Sequence, residues 1–245
     1  MAQEPKNVEV NESLMNTATN LNSHWDHDPS GYDALRDTWL NQRRDRYVLN
    51  FLSEAKEGEV VVELGSGTGS SLIWLAKERP DLIFIGIEPL RNYCDFASEK
   101  ALTLGVKNVE FICGYGEEAV SFYGDRSAAK WIISTDVLHH VNDMRLTAQQ
   151  LWHLSDKNAR WLSFEPSCLN PYIFYFQATT KGERNFWLSR FLSASKEHWS
   201  LLSKDHITVI PSFIPTPSPF LKKIESALEG VPIVCGRRVT ILEKQ

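Results

Sequence analysis

The chain has 245 residues, 42% of them hydrophobic and 11% aromatic, enough for one α/β domain with a full core, alone or carrying an insertion. Its formal net charge of −5 argues against a general binder of nucleic acid or of anionic membrane, which presents a basic surface. Cys94, Cys113, Cys168 and Cys235 have no metal-ligand spacing and read as reduced thiols of a cytoplasmic protein, and no window supplies the ~20 apolar residues of a transmembrane helix.

In chain order, Met1 to Asn22 is polar and lacks the apolar core of a signal peptide. His24, Trp25, Asp26, His27 and Asp28 form a ligand-rich run. A turn before the next helix accounts for it better than a zinc site with no second cluster, and a third reading puts Trp25 and Tyr32 in a lid over a ligand. From Tyr32 to Ser53, the residues Leu35, Trp39, Leu40, Tyr47, Val48 and Phe51 recur at helical spacing and predict one or two amphipathic helices. Arg43, Arg44 and Arg46 read as a solvated basic face.

From Val60 short apolar runs alternate with helical segments. Strands are expected at Val60–Leu64, Ile83–Glu88, Val109–Cys113, Trp131–Thr135, Trp161–Phe164, Ile207–Pro211 and Val239–Glu243. Helices are expected at Ser70–Glu78, Leu90–Leu104, Glu117–Tyr123, Asp143–His153, Ser195–Ser203 and Phe220–Leu228. Near-continuous apolar strands are buried on both faces, so the pattern predicts a doubly wound α/β sheet of seven strands. Ser167 to Ala194 breaks the alternation and is rich in aromatics; it reads as a cover over a ligand crevice, as an extra packing helix pair, or as both. The expected organisation is a helical lid region over 1–57, a ligand-binding core over 58–166, a helical cap over 167–204, and strands and a helix completing the sheet over 205–245.

The run from Val60 to Ser71 ends a buried strand, turns through Gly65, Gly67 and Gly69, and opens a helix. Alternate glycines allow a tight turn and leave bare main chain for a ligand, and the helix start offers free N–H groups. A dinucleotide fold prefers G-x-G-x-x-G, whereas the sixth position here is Ser70. Glu63, before the first glycine, would repel a pyrophosphate but suits a ligand carrying an ammonium and a sulfonium. Glu88, at the end of the second expected strand, is placed to accept hydrogen bonds from ribose hydroxyls.

V-V-E-L-G-S-G-T-G followed by I-G-I-E-P-L resembles motifs I and II of the class I (Rossmann-like) methyltransferases that depend on S-adenosylmethionine (SAM). I-I-S-T-D-V-L-H-H-V-N-D resembles their motif IV in the V-L-H-H-V-x-D form of the small-molecule branch (methyltransferase type 11/12-like), and W-L-S-F-E-P-S fits the end of strand five of that branch. The resemblance implies strand order 3-2-1-4-5-7-6 with the last strand antiparallel. It implies SAM as cofactor, leaving as S-adenosylhomocysteine. Glu63, Gly65, Ser66 and Gly67 would approach the methionine part, Glu88 would hold the ribose, Pro89 and Leu90 would flank the adenine, and Ser134 and Thr135 would line the methionyl side. The family's acidic residue after the glycine of motif III is absent, since Gly114 is followed by Tyr115, Gly116 and Glu117; Gly116 and Glu117, or a backbone carbonyl, stand in its place.

Methyl transfer needs alignment and, for a hydroxyl acceptor, a base. By the same resemblance His139, His140 and Glu165 are the catalytic residues, with one histidine, by a small margin His139, facing the site and Glu165 orienting it. His139, His140 and Asp143 superficially suggest a metal site, but Asp143 is read as a helix cap and no metal is expected. Trp25, Tyr32, Tyr172, Tyr175 and Phe176 are expected to line the acceptor pocket. The expected function is transfer of a methyl group to a small molecule, first to a hydroxyl of a secondary metabolite; C- or N-methylation and a non-catalytic SAM-binding partner subunit are the alternatives. Neither nucleic acid nor membrane is expected as partner, and the chain is expected as a monomer or homodimer.

Overall fold

The computed structural model describes residues 28–245. Two short helices come first, α1 (Pro29–Ala34) and α2 (Trp39–Phe51), each begun by a side-chain cap from Asp28 or Thr38 that accepts an otherwise unpaired N–H. The alternating part follows as β1 (Val60–Leu64), α3 (Ser70–Glu78), β2 (Ile83–Glu88), α4 (Arg91–Thr103), β3 (Val109–Cys113), α5 (Ala119–Tyr123), β4 (Ala129–Thr135), α6 (Met144–Leu154) and β5 (Ser155–Pro166). Then come α7 (Pro171–Thr179), α8 (Leu188–Ser195), β6 (Trp199–Ile207), α9 (Pro219–Leu228) and β7 (Arg237–Lys244).

The seven strands form one sheet in the order β3-β2-β1-β4-β5-β7-β6. Strands β1 to β5 are parallel, and β7 runs antiparallel between β5 and β6. Along β1 the side chains alternate between two buried layers. Val60, Val62 and Leu64 join Ile85, Ile132 and Trp161 beneath α5, α6 and α8. Val61 joins Phe84, Trp131 and Phe164 beneath α2 and α3, which contribute Leu40, Val48, Leu72 and Leu75. Each such side chain adds about 1.5–3 kcal/mol, and the unbroken apolar character of the central strands follows from burial on both sides. Strand order reverses between β1 and β4, and crevices form outside the carboxyl ends of strands at such switch points.

The sequence misplaces one strand. Ser195–Ser203 is not a helix and Ile207–Pro211 is not a strand; β6 occupies Trp199–Ile207. It pairs only with β7, its interior from Leu201 to Asp205 is exposed, and its register shifts between Leu201 and Ser203. An edge strand with one neighbour needs no long apolar run. Since β6 begins at Trp199, it crosses the expected boundary at residue 204. A second correction concerns the expected basic face. Arg44 is 1% exposed and lies against Asp45 and Ser71, while Arg43 pairs with Glu229. No helix among the described residues is long and apolar enough to cross a membrane.

Candidate active site

The turn after β1 is built from glycines in left-handed backbone, Gly65 (φ 73°), Gly67 (φ 55°) and Gly69 (φ 72°). A side chain at Gly65 would be driven into Val137, and one at Gly69 into Phe111 and Ala97. Gly67 differs: a Cβ there meets only Tyr32 at 3.7 Å. This is bare backbone facing a cavity, as a close ligand requires.

That cavity has a volume of about 880 Å³ and runs unbroken from the glycine turn to the insertion. At one end lie Glu63, Gly65, Ser66, Gly67, Glu88, Pro89 and Leu90; at the other, His139, His140, Tyr172, Phe176 and Gln177. The ends of β1, β2 and β4 and the segment after β5 therefore open into one space.

Two carboxylates mark the first end. Glu88 accepts from the Gly67 N–H (2.9 Å) and the Leu90 N–H (3.1 Å); burial pushes its carboxyl up to about 7 against those two donors. Glu63 has one oxygen 3.3 Å from the Thr135 hydroxyl and the other buried without a hydrogen-bond partner. Burial raises it to about 7 although the Arg44 guanidinium pulls it down. An unpartnered buried carboxylate oxygen is costly, and a cationic ligand at this end of the cavity would relieve it. The residues thus fit a ligand carrying ribose hydroxyls and an ammonium.

A strap closes this end. Asp33 of α1 accepts from Lys100 Nζ (2.6 and 2.7 Å), Thr68 Oγ1 (2.8 Å) and Ser70 Oγ. Those hydrogen bonds hold its carboxyl below the usual range despite partial burial. Tyr32, on the same helix, lies 5.4 Å from Tyr93 between ring centroids and lines the cavity. Nothing in the sequence marks Asp33, which reaches the glycine turn only through the fold.

At the other end, His139 is clamped between two acids. Its Nδ1 is 2.7 Å from Glu165 and its Nε2 3.1 Å from Glu183. Glu165 is fully buried and its other oxygen accepts from the N–H groups of Val137 (3.0 Å) and Leu138 (2.8 Å). Burial alone would lower the imidazole, but the two carboxylates raise it to about 9. The two acids thus hold the ring from both nitrogens. The His140 ring lies against it, 4.0 Å between centroids and tilted by 45°. Both histidines are buried and line the cavity.

Several other expectations are placed differently. Ser134 lies outside the cavity wall, its hydroxyl accepting from Trp161 Nε1 at 2.9 Å, while Thr135 lines the wall. Gly116 and Glu117 line it too, but the Glu117 carboxylate accepts from the Asn142 and Asp143 N–H groups. Tyr175 is 69% exposed and points away, whereas Tyr172 and Phe176 line the cavity with near-parallel rings 6.4 Å apart. Trp25 and His24 to His27 lie outside the described residues; Asp28 caps α1 and Asp143 caps α6.

Sequence reasoning missed Gln177 and Glu183. Gln177 is 3% exposed, lines the cavity, and has both amide atoms buried without a hydrogen-bond partner. Phe213 packs edge-on against Tyr172, 6.3 Å between centroids. Gln177, a polar residue in an aromatic helix, and Glu183, in the loop that follows, come from the insertion and give no pattern to read.

Comparison with known proteins supplies the remaining facts. A family model described as a methyltransferase domain matches residues 55–204. A tRNA (guanine-N(7)-)-methyltransferase of Limosilactobacillus reuteri (strain DSM 20016) is 36% identical over 80 residues, covering 33% of this chain and 38% of the relative. One from Streptococcus pneumoniae (strain CGSP14) is 33% identical over 98 residues, covering 36% and 46%. The chain thus spans less than half the length of these curated relatives. The fold is shared with geranyl diphosphate C-methyltransferase from Streptomyces coelicolor A3(2), solved with Mg2+, geranyl-S-thiolodiphosphate and S-adenosylhomocysteine (TM-score 0.66, 12% identity, 84% of this chain and 77% of that one).

The relatives overturn two expectations: a small-molecule acceptor from secondary metabolism, and the exclusion of nucleic acid as partner. The charge argument failed because a net charge averages over the whole surface and says nothing of the field at one opening.

Proposed function

Since the chain belongs to the methyltransferase-domain family and has the class I SAM-dependent fold, we propose that it transfers the methyl group of SAM to a ring nitrogen of a guanine base in RNA. The observation that carries the acceptor is the likeness to tRNA (guanine-N(7)-)-methyltransferases over about a third of the chain. The cavity supports it. Tyr172 and Phe176 present flat aromatic faces, which suit base stacking, and Gln177 offers one buried donor and one buried acceptor. A purine edge bearing a carbonyl and a ring N–H complements that pair.

Bound in the cradle of Glu63, Gly65, Gly67 and Glu88, SAM supplies an electrophilic methyl on a positively charged sulfur. The protein's work is then mostly alignment. Glu88 would accept from the ribose, Pro89 and Leu90 would flank the adenine, and Glu63 with Thr135 would meet the amino-acid end. N7 of guanine has an in-plane lone pair and gives up no proton on methylation, so no base is required. His139, oriented by Glu165, and His140 form the wall against which the acceptor is positioned. The four free cysteines support a reducing, cytoplasmic setting. Incubation with SAM labelled in its methyl group and an unmodified tRNA transcript tests the reading: label enters the RNA if it is correct, and stays in SAM if it is not.

A further inference from the structure

We propose that His139, His140 and Glu183 form a binding site for one divalent transition-metal ion of the zinc or iron(II) type, open toward the acceptor end of the cavity. One ring nitrogen from each histidine and one oxygen of Glu183 lie within 4.8 Å of one another. His139 Nε2 and Glu183 Oε2 are already 3.1 Å apart. Two donors held at ~2.1 Å by a tetrahedral ion lie about 3.4 Å from each other, so an ion fits between them with a few tenths of an ångström of movement.

The surroundings are those of a metal ligand set. His139 is fixed through Nδ1 by Glu165, which is itself held by two backbone N–H groups. This directs Nε2 at Glu183, and a carboxylate behind an imidazole orients metal-binding histidines and strengthens their donation. Glu183 belongs to the loop between α7 and α8, and the next residue ties that loop down: Arg184 donates to the His140 carbonyl and to Asn142 Oδ1. The ligands are thus brought together from two separate segments by contacts that do not involve the ion.

Two imidazoles and one carboxylate suit zinc or iron(II) better than magnesium, which prefers oxygen ligands and retains its water. Three protein ligands leave a position free, and because all three residues line the cavity, that position faces the acceptor. The ion would take an oxygen atom there, from water or from the acceptor. The site does not depend on the acceptor's identity.

Chelator-treated full-length protein titrated with Co2+ as a visible probe, and separately with Zn2+ by calorimetry, tests the site. One equivalent of Co2+ per chain should saturate a visible band that Zn2+ abolishes. Glu183→Gln and His140→Gln should each weaken Zn2+ binding at least tenfold, while His153→Gln, on the exposed side of α6, should leave it unchanged. Absence of saturable binding, or equal binding by wild type and Glu183→Gln, would overturn the proposal. Circular dichroism checks that the variants fold; if His140→Gln does not, the loop variant Glu183→Gln decides the matter.

Discussion

Glu88, the last residue of β2, accepts a hydrogen bond from the N–H of Gly67 at 2.9 Å, and so ties the second strand to the turn that follows the first. The contact places a carboxylate beside bare backbone at the crevice between the strand ends. Glu88 is thereby a brace for the turn and, under the proposed function, the group that would receive ribose hydroxyls. Glu88→Gln keeps the shape and removes the charge. With hydrogen bonds to charged groups worth about 1.5–3 kcal/mol, SAM affinity measured by calorimetry should fall about ten- to a hundredfold with the fold intact.

The two buried carboxyls make cofactor binding depend on pH. Both Glu63 and Glu88 are raised to about 7 in the folded chain, well above their unfolded values. Their contribution to the stability of the ligand-free protein is therefore fully present below about pH 4.5 and is lost as pH rises through 7. The ligand selects the ionised form, so its affinity should rise from pH 5.5 to 8 and level off. Thermal unfolding with and without SAM across this range should show a ligand-induced shift that grows with pH, and Glu88→Gln should flatten it.

Gly65 and Gly67 should separate folding from binding. Gly65→Ala combines a left-handed backbone with an overlap on Val137 and should destabilise the protein by about 2 kcal/mol or more. Gly67→Ala carries only the backbone strain, about 1–2 kcal/mol, but puts a methyl into the cavity. Its thermal midpoint should drop modestly while SAM binding is lost.

The strap from α1 should govern release. Asp33→Asn weakens the contacts to Lys100, Thr68 and Ser70, which are only partly buried and so individually modest. Amide exchange over residues 29–34 should quicken, and the dissociation rate of SAM should rise severalfold, up to about tenfold, with little effect on global stability.

Gln177→Leu should act on the acceptor alone. Removing a buried donor–acceptor pair that faces the cavity should raise KM for RNA about tenfold or more and leave SAM affinity unchanged. Equal KM values would show that this amide does not read the acceptor.

How much was legible in the sequence depended on whether the signal was local. β1, the glycine turn and β2 lie within 29 positions, from Val60 to Glu88, and each carries its own mark: a buried apolar run, alternate glycines, a terminal acid. Their joint geometry followed almost residue for residue. Asp33, Arg44, Gln177 and Glu183 carry no such mark, because their roles arise only when α1, α2 and the insertion fold onto the sheet. The His139–Glu165 pair was half visible, the acid being expected behind the imidazole, but the second acid, Glu183, was hidden in a loop. β6 was missed because an edge strand does not need the apolar pattern that identified the others.

The central claim, that methyl groups pass from SAM to a guanine ring nitrogen in RNA, is tested most directly by digesting the reacted tRNA transcript to nucleosides and locating the methyl group by mass spectrometry. The account predicts labelled 7-methylguanosine as the principal product. Protein that binds SAM but leaves the transcript unmethylated, or label found only on ribose hydroxyls, would contradict it.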